Sequence, residues 1–399
     1  MIQTQIQWRR LGAITAVQTA ITLTWVIYSL YLPDLLVQLG FAKELAATLL
    51  IIEHGLEAAI EPIFGAMSDR SQQKMGTRFP WISLGVILAS AFLIALPIIV
   101  LFVPKSSAWR LIFPVTAVLW ASAMAIFRSP VMALLTQVTP QPELPIASSC
   151  LTLVQQLIKV FRLSAYSVIL SLGPLVTFAI GSLVILGSAT FLRQVMPPAS
   201  PQPQPTQPQS LPMISPPIVV MIVGTAIALG WGLRFFFAGL PQLFATQLPQ
   251  TQVSSAVLGF NILLAFMALA AGKIASEIGN HRAMFVGLLS TAVLLVILLF
   301  NGSMILLAIG AILISFTFSI VLNGMVPLVL DLVPVERSGL GTGIYFGAFG
   351  ASISFFDLVF AGFSTLGLQV SCAAIAMLVA SILVEMGYQN KSNRQRLVN

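Results

Sequence analysis

The sequence predicts an all-α polytopic membrane protein of about twelve transmembrane helices, arranged as two pseudo-symmetric six-helix bundles. Three observations carry this. Only 8% of the 399 residues are charged and 58% are hydrophobic, whereas an ordinary soluble domain is roughly 25% charged. Apolar runs of about 20 residues, enough to cross a ~30 Å hydrocarbon core, recur along the whole chain. The stretch "PPASPQPQPTQPQSLP" (197–212) separates six such runs from six more.

The first run, "LGAITAVQTAITLTWVIYSLYL" (11–32), is too long for the apolar core of a signal peptide. It also lacks a small-residue cleavage site, so it reads as a retained span. Further spans fall near 45–68, 79–102, 109–138, 146–170, 172–193, 217–243, 252–277, 282–300, 303–330, 339–362 and 366–387. Residues 197–212 offer no apolar face and read as a disordered or polyproline-like linker. The expected organisation is an N-terminal bundle over 1–193, a Pro/Gln-rich linker over 194–216 and a C-terminal bundle over 217–399. The halves echo each other: "ALLTQVTP" (133–140) and "PLVLDLVP" (327–334) close corresponding spans, and each is soon followed by a glutamate, Glu143 or Glu336. "GAMSDRSQQKMGTR" after the second span pairs with "GKIASEIGNHR" after the eighth, where Ser276 replaces Asp69. Internal duplication of this kind is how many secondary transporters are built.

Twelve Lys and Arg, among them Arg9, Arg10, Arg70, Lys74 and Arg78, flank one side of these spans, and three (Lys43, Lys105, Arg110) flank the other. The asymmetry predicts that both termini and the linker are cytoplasmic, in a plasma (inner) membrane. The net charge of +7 forms no basic stripe, so nucleic acid is not an expected partner; membrane lipids and a small-molecule substrate are. Cys150 and Cys372 have no metal-ligand spacing and read as packing residues. No Walker loop, Ser/His/Asp grouping or metal cluster is present, which disfavours an ATP-driven pump or an enzyme. No cofactor is expected beyond a coupling ion, and the protein is expected to work as a monomer.

The second span carries Glu53, Glu57 and Glu61 in otherwise apolar surroundings. Residues four apart share a helix face, so the three form one acidic stripe near mid-membrane. An ionised carboxylate there costs at least ~2.5–3.5 kcal/mol unless it is paired or protonated. Two readings stay open: the stripe exchanges a proton or binds a cation, or it salt-bridges Arg128, Lys159, Arg162 and Arg234, which lie in neighbouring spans. His54 is a possible proton partner of Glu53 and otherwise a packed histidine.

"GAMSDR" followed by "GTR" resembles the loop between the second and third helices of the major facilitator superfamily. The longer "EAAIEPIFGAMSDRSQQKMGTRFPWISLG" (57–85) resembles the glycoside–pentoside–hexuronide cation symporters, the melibiose-carrier group, with shorter echoes of plant sucrose carriers. The resemblance implies that Glu57 and Glu61 coordinate a coupling H⁺ or Na⁺; Glu53 is a third acid that the family pattern lacks. It also implies a gating loop built from Gly65, Asp69, Arg70, Gly76 and Arg78. Where that group has a sugar-binding aspartate in span four, this chain has Arg128, which leaves room for an anionic ligand or neutralises Glu57 and Glu61. Arg162 or Lys159 stands nearest the group's span-five arginine.

Further candidates for substrate contact are Gln18, Thr22, Trp25 and Tyr28 in span one, Gln155 and Gln156 in span five, Asn323 in span ten, and Asp357 in span eleven. Amides bond hydroxyls and aromatic rings stack on sugars, although Trp25 and Tyr28 also fit interfacial anchors. "LGTGIYFGAFG" (340–350) has small-xxx-small spacing suited to helix packing, without the strand that nucleotide binding needs. The expected function is cation-coupled symport of a small polar solute, a glycoside first. A lysolipid symporter and a non-transporting pigment-delivery or assembly factor of the same superfamily are the alternatives.

Overall fold

Twelve helices of 20 to 33 residues make up the chain in a computed structural model describing residues 5–105, 108–164, 166–196, 211–300, 302–360 and 362–398. The first six are α1 (Trp8–Gln38), α2 (Leu45–Met75), α3 (Phe79–Phe102), α4 (Ile112–Ala133), α5 (Leu144–Ser164) and α6 (Pro174–Val195). The second six are α7 (Pro216–Ala245), α8 (Gln250–Ile278), α9 (Asn280–Leu299), α10 (Met304–Leu332), α11 (Ser338–Val359) and α12 (Leu366–Val398). Among the described residues there is no strand. The Pro/Gln-rich stretch falls mostly on 197–210, outside the described residues.

At 1.5 Å per residue, even the shortest of these helices reaches across a hydrocarbon core. Eleven are also apolar enough to do so. The twelfth, α2, is equally long but carries Glu53, Glu57, Glu61, Asp69 and Arg70. Large apolar side chains such as Ile87, Leu101, Val115, Leu183, Ile305 and Ile375 are exposed on the outer faces, as a lipid environment requires. The chain is an integral, multi-pass membrane protein. Before α6, a short helical stretch, Tyr166–Ser171, is followed by Gly173 (φ 75°), and Pro174 starts α6.

The internal echo is visible in backbone angles. After α4, Pro140 is extended (φ −58°, ψ 145°) and a 3₁₀ turn, Gln141–Glu143, leads into α5. After α10, Pro334 is extended (φ −57°, ψ 144°) and a 3₁₀ turn, Val335–Arg337, leads into α11. Gly76 (φ 68°, ψ 12°) ends α2 and Gly279 (φ 91°, ψ 135°) follows α8, both at the positive φ that glycine allows.

Two large hydrophobic cores, with a small third cluster of Ala271, Ala275, Ala283 and Ile320, lie among the described residues. One gathers buried residues of α1 to α6, and the other those of α7 to α12; Val326 and Leu330 of α10 join the first. Helices α2 and α11 run against each other, as do α5 and α8, and these two seams join the halves. At the first seam the spacing of 340–350 places glycines against backbone. A Cβ on Gly343 would collide with the Glu61 carbonyl, and one on Gly347 would stand 2.9 Å from that of Glu57. That close approach brings α11 onto the helix that carries the acidic stripe.

Candidate functional site

The stripe on α2 turns away from lipid. Glu53, Glu57 and Glu61 are all buried. Their partners come from α1 and α4. Arg128 of α4 donates through Nη2 to Glu57 Oε2 (2.7 Å) and through Nε to Glu61 Oε1 (2.6 Å). One guanidinium thus bridges two carboxylates, and its rigid fork is the geometry suited to this. Glu57 is also contacted by His54 Nδ1 at 3.3 Å. Glu53 has no basic partner among the described residues; the Tyr28 hydroxyl donates to its Oε1. The second oxygens of Glu53 and Glu61 have no hydrogen-bond partner among the described residues. Above the stripe lies an aromatic cluster: Trp25 stacks on His54 (5.4 Å), and Trp120 packs on both Trp25 (4.9 Å) and Tyr28 (4.3 Å).

Arg128 also faces a cavity of about 700 Å³ between the halves, within the size range of ligand pockets. Helices α1, α4 and α5 form one wall, with Gln18, Thr22, Trp25, Ser148, Thr152, Gln155, Gln156 and Lys159. Helices α7, α10 and α11 form the other, with Arg234, Phe237, Met325, Tyr345, Phe346, Phe349 and Phe356. Each of its three cations stands over a phenylalanine face. Arg128 lies 4.7 Å from Phe346, Lys159 5.9 Å from Phe237 and Arg234 5.5 Å from Phe356.

On the face that carries the start of α1, hydrogen bonds tie the halves together. Asp69 accepts from the Gly339 and Leu340 N–H groups (2.9 and 2.8 Å), capping the first turn of α11. Arg78, only 2% exposed, donates to Asp69 (2.5 Å), Ser68 (2.9 Å) and, across the halves, Ser338 (2.9 Å). Gln141 donates to Asp331 nearby. Met132, Met325 and Val326 are buried at this end of the cavity, whereas Arg234 near the other end is 44% exposed.

No protein-family model and no curated protein matches the sequence. Solved structures do match. A bacterial homologue of the iron transporter ferroportin, in its outward-facing state, superposes with a TM-score of 0.75 at 15% identity, over 95% of this chain and 99% of that one. The fucose:proton symporter FucP of E. coli matches with a TM-score of 0.68 at 12% identity, over 94% of this chain and 98% of that one. The proton:xylose symporter XylE, bound to 6-bromo-6-deoxy-D-glucose, matches with a TM-score of 0.66 at 11% identity, over 94% of each chain. FucP is described as a major facilitator superfamily transporter. This chain has the major facilitator fold.

Set on that fold, the expected site residues separate into groups. Glu53, Glu57, Glu61, Arg128, Trp25 and Tyr28 come together in one cluster, and Gln18, Trp25, Arg128 and Lys159 line the cavity. Trp25 and Tyr28 are therefore not interfacial anchors: one faces the cavity and the other is fully buried. Four expected substrate contacts do not line the cavity. Tyr28 is occupied by Glu53. Asn323 is fully buried and donates to the Ala268 carbonyl (2.6 Å), fastening α10 to α8. Arg162 is exposed outside the cavity. Asp357 is paired with Arg234 and does not line the cavity.

In the expected gating loop, Gly65, Asp69 and Arg78 meet the start of α11, and a Cβ on Gly65 would run into Gly339. Gly76 ends α2 in the left-handed conformation. Arg70 is exposed and takes no part in the knot. Sequence reasoning missed Ser338, Gly339 and Leu340 as the far side of the knot, since two of the three contribute backbone N–H groups. It also missed the phenylalanine wall; the α11 run "YFGAFGASISFF" (345–356), with Phe237 on α7, was the available signal.

Proposed function

We propose that the protein is a proton-coupled secondary transporter that moves a small polar organic solute, with glycosides and their uronic acids first, by alternating access between its two halves. The observation that carries this is the Arg128 bridge. The resemblance over 57–85 gives Glu57 and Glu61 to a coupling cation, and the guanidinium occupies that position. With no room left there for Na⁺, the exchangeable ion is H⁺. Glu53, buried without a cation and hydrogen-bonded to Tyr28, is the group that takes and releases it. Carboxylates held by one arginine at the floor of a cavity respond to whatever binds that arginine, and this links solute to proton.

The amides and hydroxyls of Gln18, Thr22, Thr152, Gln155 and Gln156 suit hydroxyl-bearing solutes, and two of the matched structures are named as proton symporters of sugars. The knot of Asp69, Arg78 and Ser338 closes one face, which corresponds to an outward-facing state with the termini in the cytoplasm of a plasma-membrane protein. The transporter works as a monomer with no cofactor other than the proton. Liposomes containing the purified protein and a trapped pH dye test this. The expected result is that at least one sugar or uronate drives proton entry without Na⁺. A strict Na⁺ requirement at constant pH, or no proton movement with any solute, would overturn it.

A further inference from the structure

The three cavity cations are not equivalent. Arg128 is bridged by Glu57 and Glu61, and Arg234 is paired with Asp357. Lys159 has no acidic partner among the described residues, and no acidic side chain lines the cavity around it. Lys159 is exposed to the cavity, and an unpaired ammonium that faces a cavity among membrane-spanning helices marks a substrate or ion path. We infer that the solute is an organic monoanion whose acid group docks on Lys159, with its body laid along the phenylalanine wall towards Arg128. This rests on the reading of the cavity as the solute site.

The placement follows from charge and shape. Lys159 projects from α5 across the cavity to the Phe237 ring on α7, so an acid held there contacts both halves. From that point Phe356, Phe349 and Phe346 lead along α11 to Arg128, opposite Trp25 and Gln18 on α1. A flat or apolar body fits this path, and amides on the facing wall accept its hydroxyls. The Nη1 group of Arg128 meets no protein acceptor among the described residues, so a polar group at the far end of the solute can reach it. A neutral solute would leave the Lys159 charge unanswered. A dication would be repelled by the unpaired Lys159.

Binding to detergent-solubilised protein tests the inference without requiring transport. The probes are matched acid and neutral pairs: 4-nitrophenyl glucuronide and 4-nitrophenyl glucoside, 4-hydroxybenzoate and 4-hydroxybenzamide, octanoate and octanamide. At least one acid is expected to bind about tenfold or more tightly than its neutral partner. Lys159→Gln should remove that preference by about the same factor, while Lys159→Arg keeps it. An unchanged melting temperature shows that both variants fold. Equal binding of acids and neutral partners, no acid binding at all, or an acid preference that survives in Lys159→Gln would each overturn the inference. An acid that binds through Lys159 yet drives no proton entry would sustain it and count against proton coupling instead.

Discussion

The seams α2–α11 and α5–α8 occupy corresponding places in the two halves, yet they are built differently. In both, a glycine admits the partner helix: Gly65 faces Gly339 of α11, and Gly272 faces Pro145 and Ser149 of α5. The first seam adds hydrogen bonds along its length. Asp69 caps α11 and Arg78 reaches Ser338 at one end, while Ser354 donates to the Ile51 carbonyl (2.8 Å) towards the other. At the second seam the residue in the place of Asp69 is Ser276, whose hydroxyl has no partner among the described residues. No side-chain hydrogen bond joins α5 to α8 among the described residues. A duplicated scaffold has therefore kept its charged fastening, and its acids, on one side only. The fastened seam closes the face that carries the start of α1, and under the proposed alternating access the bare one is the seam free to slide.

The largest effect should come from beneath the fastened seam. Arg128→Ala leaves Glu57 and Glu61 buried without a cation and should cost about 3–5 kcal/mol, read as a large loss of thermal stability in detergent. Next, Asp69→Asn removes a charge-assisted cap and the Arg78 pair. It should weaken the closed face by about 1.5–3 kcal/mol, raising labelling of cysteines placed at Met132 or Met325 from the terminal side. Ser354→Ala, which removes one neutral bond, should cost about 1 kcal/mol. Ser276→Ala, at the bare seam, should change stability and labelling by no more than about 0.5 kcal/mol. Equal effects at Asp69 and Ser276 would erase the distinction between the seams.

Much of this was legible in the sequence, and the reasons differ by feature. Long apolar runs and a proline-rich break specify twelve helices almost directly, because lipid allows few alternatives to helix. The spacing of Glu53, Glu57 and Glu61 specifies one face through helix period alone. What that face meets is a tertiary question. The sequence left Arg128 open between substrate and the acids, and only the packing of α4 on α2 decides that it bridges Glu57 and Glu61. Asn323 looks like a substrate ligand in a list of polar residues, but the phase of α10 turns it to the Ala268 carbonyl. The Asp69 knot was half visible, because its partners on α11 act largely through main-chain N–H groups that carry no residue signature.

The proton reading turns on Glu53, whose carboxyl touches Tyr28 and no cation. Glu53→Gln keeps an acceptor for the tyrosine while removing the exchangeable proton, so the variant should fold. In liposomes holding wild type or Glu53→Gln, uptake of a transported solute is measured under an inward proton gradient and, separately, as exchange without a gradient. The account predicts that Glu53→Gln loses gradient-driven accumulation and keeps exchange; accumulation at the wild-type level would contradict it.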